Sequence, residues 1–181
     1  MVIPSFEPGE IHRLVLHWTG GDDRTAYPAY HFCIAADRAD RPIVIATHDA
    51  RANMRDVRVD GASYAAHTAG RNSFALGFGI CGMLGATPTD FGRYPLRDDL
   101  VEACCRLAAR ACAAYGIAIE PDSVMTHAEA AVEDGYFGCG PDERWDIARL
   151  VADPSPLEPS DARRTGDLLR ARIARIAREG L

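Results

Sequence analysis

Short apolar runs separated by polar turns fill the first half of the chain, and apolar residues at helical spacing fill much of the second. Residues 13–18 (RLVLHW) predict a buried strand. The polar stretch GGDDRTAYP leads into a second strand at 30–36 (YHFCIAA), and ADRADRP separates that from a third at 42–47 (PIVIAT). The latter two read as an antiparallel hairpin. Residues 48–63 are polar and irregular, and 74–83 (FALGFGICGM) form a fourth strand whose glycines mark a close backbone approach or a bulge. Over 98–115, Leu100, Cys104, Leu107, Ala108, Ala111 and Tyr115 recur at three- and four-residue spacing, with Gly116 placed to stop a helix. VMTH (124–127) reads as a short strand or loop end, and 128–159, rich in Gly, Pro and charge, as a long functional loop. A last helix is expected at about 160–179, with Leu168, Leu169, Ile173 and Ile176 on its apolar side. No repeat or linker interrupts this order. It predicts one α/β domain over 1–181, a central mixed β-sheet flanked by helices, with its core at about 12–150.

Charge narrows the function classes. Twenty Lys and Arg against 26 Asp and Glu leave a net charge of −6, which argues against a nucleic-acid partner. The same charge gives no long-range attraction toward an anionic surface. The N-terminal stretch lacks a charged segment followed by a long apolar core, and no run approaches the roughly 18 apolar residues of a membrane span. The expectation is cytoplasmic synthesis without a signal peptide and no membrane insertion. Six cysteines are present, none in a CxxC arrangement, and they read as reduced, mostly buried thiols.

Two of the six histidines end a strand reading where a polar loop begins: His17 before TGGDD and His127 before AEAAVEDG. Asp146 follows 19 residues after His127. Two imidazoles and a carboxylate leave a fourth position open, as catalytic zinc requires. Spacing alone leaves open that these are hydrogen-bonded polar residues at strand ends.

Four ordered segments sharpen the reading: LVLHWTGG (14–21), YHFCIAAD (30–37), AHTAGRNSFALGFGI (66–80), and THAEA (126–130) followed by RWDIARL (144–150). Together they resemble the type 2 N-acetylmuramoyl-L-alanine amidases, the superfamily of phage lysozyme-amidases and peptidoglycan recognition proteins. The resemblance spans roughly residues 12–150. It implies zinc-dependent hydrolysis of the amide between N-acetylmuramic acid and L-alanine in peptidoglycan. The implied zinc ligands are His17, His127 and Asp146. This donor set suits Zn²⁺, and ligand softness also admits Mn²⁺, Co²⁺ or Ni²⁺ in vitro.

The resemblance assigns further roles, with departures. Some members carry a Glu base where this chain has Gly79; phage-type members use a tyrosine, which falls on Tyr30. Tyr30 is therefore expected to be the acid/base or water-orienting group. The family's usual Lys, two residues before the last ligand, is Arg144 here, which offers charge to an oxyanion but cannot shuttle protons. His67 and Asn72 match the H-x-x-x-x-N segment and are expected to contact the glycopeptide. His31 reads as structural, His12 and His48 as surface residues, Trp18 and Trp145 as packing, and Glu129 as a helix-start carboxylate. An endolysin-like lytic enzyme, a recycling enzyme and an amidase delivered into a neighbouring cell all fit. A muropeptide-binding module and a hydrolase of another amide are the competing functions.

Overall fold

The computed structural model describes residues 5–59 and 62–180; the first four residues of the N-terminal leader and part of the irregular 48–63 stretch lie outside them. Among the described residues five strands form one mixed sheet in the order β3-β2-β4-β1-β5. The strands are β1 (Arg13–Trp18), β2 (Phe32–Ala36), β3 (Pro42–Ala46), β4 (Ala75–Ile80) and β5 (Val124–Thr126). β1 lies parallel between β4 and β5, β2 runs parallel to β4, and β2 and β3 form the expected antiparallel hairpin. Three helices complete the domain: α1 (Asp98–Tyr115), α2 (His127–Asp134) and α3 (Pro159–Glu179).

Alternation along the central strands sorts the two faces. Leu14, Leu16, Phe32, Ile34, Leu76, Phe78 and Ile80 point to one side and join Leu100, Leu107, Ala108 and Ala111 of α1 and Leu169, Ile173 and Ile176 of α3 in one core. Each fully buried Leu, Ile or Phe there contributes on the order of 1.5–3 kcal/mol. The opposite face carries Val15, His17, Gly77 and Gly79, a row with little apolar volume, and the functional side chains gather on it. Helix α1 ends where Gly116 enters the left-handed region at φ 66° and its N–H donates to the Cys112 carbonyl.

Three expectations need correcting. Strand β2 begins at Phe32, so Tyr30 and His31 belong to the turn before it. The segment after β5 is not loop throughout: α2 starts at His127, stapled by a capping box in which the Thr126 hydroxyl accepts from Glu129 N–H and the Glu129 carboxylate accepts from Thr126 N–H. Leu168 is not on the apolar side of α3; it is 47 % exposed. No helix of the described residues is long and apolar enough to cross a membrane.

Candidate active site

Parallel pairing of β1 with β5 brings two distant histidines together. His17 stands near the end of β1, and His127 opens α2 immediately after β5, 110 residues later. The third member comes from the segment that returns past the start of α2, where the Ala128 N–H donates to the Asp146 carbonyl at 3.1 Å. The next residue, Ile147, holds φ at 62°. A β-branched residue there is strained, at a cost of order 1–3 kcal/mol. Complete burial of Ile147 in the main core holds it in place, and the kink turns Asp146 back toward the histidines.

The three side chains converge on one point. His17 Nδ1 lies 3.1 Å from His127 Nδ1 and 3.2 Å from Asp146 Oδ2, and His127 Nδ1 lies 3.1 Å from the same oxygen. All three residues are buried. Burial pulls the His17 imidazole down to about 4, so it is neutral and able to ligate at neutral pH. Burial alone would raise the Asp146 carboxyl, but the neighbouring His127 and hydrogen bonds from both histidines hold it well below the ordinary carboxylate range.

This triangle fits a metal ion better than a hydrogen-bonded cluster. Donors about 2.0–2.1 Å from a tetrahedral zinc stand about 3.3–3.4 Å apart, close to the spacing seen. Two imidazole Nδ1 atoms facing each other can share only a proton, and both already crowd one carboxylate oxygen. The other, Asp146 Oδ1, is buried with no partner among the described residues. Two imidazoles and a carboxylate suit zinc, and His17, His127 and Asp146 are the residues that would hold it.

Two of the trio, His127 and Asp146, open onto a cleft of two lobes. One lobe, about 220 Å³, is lined by Trp18, Thr19, Gly20, Ala29, Tyr30 and Asp146. The other, about 610 Å³, is lined by Tyr64, Thr68, Gly70, Asn72, Tyr136 and Asp142. His67, His127 and Arg144 border both. A separate apolar hollow of about 570 Å³ between Leu150 and Leu168 lies away from this chemistry.

Each expected residue can now be placed. The Tyr30 ring lies against His17, with centroids 5.1 Å apart, and its hydroxyl donates to the Trp18 carbonyl at 3.0 Å. Burial, and then the Asp146 charge, push its phenol far above its ordinary value, so it stays protonated. Gly79 makes room for it: a Cβ there would stand 2.7 Å from Tyr30 Cδ2. The tyrosine ring thus uses the space that a side chain at position 79 would fill. Arg144 is exposed, and its guanidinium donates to the Pro141 and Glu143 carbonyls while bordering the cleft. Asn72 lines the larger lobe, but its Oδ1 is engaged, accepting from the backbone N–H groups of His67 and Thr68 at 3.0 and 2.9 Å. His67 is buried behind His17.

The residues read as structural are so placed. His31 Nδ1 accepts from Gly77 N–H at 3.0 Å. Trp18 packs edge-on against Trp145 at 4.3 Å. Glu129 faces away from the cleft and pairs with Arg170. Five cysteines are buried and Cys139 is exposed, all of them free.

Two site residues escaped sequence reasoning. Tyr136 lines the larger lobe with its ring 6.0 Å from His127, and its buried hydroxyl has no partner among the described residues. Thr68 stands beside His17. The only sequence signal for Thr68 was its place next to His67, and nothing distinguished Tyr136 within its Gly-rich stretch.

A sequence model of the N-acetylmuramoyl-L-alanine amidase family matches residues 7–144. That is more than three quarters of the chain, and the chain belongs to this family. The matched region ends two residues before Asp146, so the third member of the trio rests on the geometry above. No curated protein matches the chain.

Proposed function

We propose that this member of the amidase family is a zinc-dependent N-acetylmuramoyl-L-alanine amidase, cutting between the muramic acid lactyl group and the first L-alanine of the stem peptide. The observation that carries the reading is the convergence of His17 Nδ1, His127 Nδ1 and Asp146 Oδ2 at 3.1–3.2 Å, beside a two-lobed cleft. Zinc held there supplies a Lewis acid and a water of lowered pKa. The chain's own groups do the rest. Tyr30, kept protonated, orients water or donates to the departing amine nitrogen. Arg144 swings its charge from the loop carbonyls toward the developing oxyanion. Asn72 and His67 border the glycopeptide groove.

The test is a digest of purified peptidoglycan with zinc-loaded protein, with and without chelator, read by mass spectrometry. Stem peptides with a free L-alanine amine, appearing only with metal, are the expected products. Stoichiometric zinc without cleavage would leave a muropeptide-binding module or another amide substrate. We assign the enzyme an endolysin-like lytic role. Clearing of permeabilised cells supports that setting, whereas action on soluble muropeptides alone points to recycling.

A further inference from the structure

The face of His17 turned away from the metal site is built as carefully as the face toward it. Its Nδ1 points at His127 and Asp146, while Nε2 lies 3.3 Å from His67 Nδ1 and 3.3 Å from Thr68 Oγ1. Those two atoms are 2.9 Å apart, which closes a second triangle. His17, His67 and Thr68 are all buried.

A neutral imidazole carries one proton, and only its bare nitrogen can bind a metal. For His17 to present Nδ1, its proton must sit on Nε2, where water cannot reach it. The Thr68 hydroxyl can accept from that N–H and pass its own hydrogen to His67 Nδ1, whose own proton then sits on Nε2. That pattern pairs both donors of the triangle; the His67 Nε2–H lies outside it, buried and without a partner among the described residues. Without these partners, a ligating His17 would hold a buried N–H with nothing to bond, and the ligand would lose basicity and fixed orientation.

The surroundings keep the triangle in place. Asn72 Oδ1 accepts from the backbone N–H of both His67 and Thr68, so one side chain pins the two residues together. On β4, Gly77 opposes Val15, and a Cβ at that position would overlap the His67 ring. The absent side chain makes the slot in which the imidazole lies.

We propose that Thr68 and His67 are positioning residues that hold His17 in the tautomer presenting Nδ1 to the metal, with Asn72 and Gly77 fixing the pair. This rests on the zinc reading above. It gives the H-x-x-x-x-N segment a task behind the metal site in addition to the substrate contact implied by resemblance.

The experiment is zinc affinity of the full chain by chelator competition, beside the thermal stability of the metal-free protein. Thr68→Val keeps the shape and removes the hydroxyl; loss of such an outer partner weakens binding by about 10- to 100-fold. Thr68→Ser restores the hydroxyl and should restore affinity. His67→Asn, which offers an acceptor near the Nδ1 position, should bind more tightly than His67→Ala. Nitrogen NMR of the zinc-loaded protein should show the His17 proton on Nε2. Wild-type affinity in a folded Thr68→Val protein, or loss of apo stability alone with affinity unchanged, overturns the proposal while leaving the metal reading intact. Failure of the wild-type chain to bind zinc at all overturns both.

Discussion

Acidifying the metal-free protein from about pH 7.5 to about pH 5 loads the histidines its fold keeps neutral. His17 and His31 are each drawn from 6.5 to about 4, chiefly by burial. Folded values below the unfolded one mean that the unfolded chain takes up the proton first. Stability is therefore fully present above about pH 6.5 and drains away as pH falls toward 4. Each shift of about 2.5 units corresponds to roughly 3 kcal/mol. Together the two imidazoles remove about 4 kcal/mol by pH 5 and on the order of 6–7 kcal/mol well below pH 4, against a whole-domain stability of about 5–15 kcal/mol. His67, also lowered by burial, acts in the same direction. The assay is urea unfolding in the presence of chelator, followed by the fluorescence of the packed Trp18 and Trp145 pair. The stability should fall by about 2–3 kcal/mol per pH unit below pH 6, and His31→Gln should remove about half of that slope. Saturating zinc, at about a thousand times its dissociation constant, should add back about 4 kcal/mol near neutral pH. A urea midpoint unchanged between about pH 7.5 and 5.5 would refute the claim that these imidazoles are buried neutral.

Four further outcomes are expected. His127→Ala and Asp146→Ala should each lose bound zinc and amidase activity together, by metal analysis and peptidoglycan digestion; activity surviving without zinc would remove the metal site from the reaction. Tyr30→Phe should keep zinc but lose turnover by about 10²- to 10⁴-fold, and normal turnover would take the phenol out of the mechanism. Arg144→Ala should lower turnover more than metal content, because its guanidinium borders the cleft without touching the ligand trio. A thiol reagent should modify one cysteine of the native protein, Cys139, and six after denaturation; rapid native labelling at two or more would contradict the burial of the others.

The elements with strong periodicity were legible in the sequence: β1, β3 and α1 from their apolar patterns, α3 to within one residue of its start. Helix α2 was hidden although Thr126 and Glu129 form a capping box that the sequence displays. Gly135, Gly138, Gly140 and Pro141 follow so closely that the eight helical residues are lost in a loop-like composition. The convergence of His17 with His127 was beyond any local pattern, because it arises from β1 pairing with β5 across 110 residues. Family resemblance supplied that contact, since periodicity reports nothing about which strands become neighbours.

The glycines of β4 show where local reading stopped short. LGFGI reads as a strand in which glycine permits a close approach, and Gly77 and Gly79 do stand opposite Val15 and His17. What approaches is not backbone but two rings, His67 over Gly77 and Tyr30 over Gly79. The same period-two alternation that buries Leu76, Phe78 and Ile80 in the core leaves the other face without side chains beside His17. A bulky residue at 79 would compete with Tyr30 for its place, and one at 77 would drive His67 from His17 Nε2. The chemistry of the cleft therefore depends on two residues that carry no chemistry, and Gly77→Ala or Gly79→Ala should damage the site more than the fold. Either variant melting with wild-type stability but binding zinc or turning over poorly is the expected signature, and unimpaired function in both would show that the rings hold their places without that space.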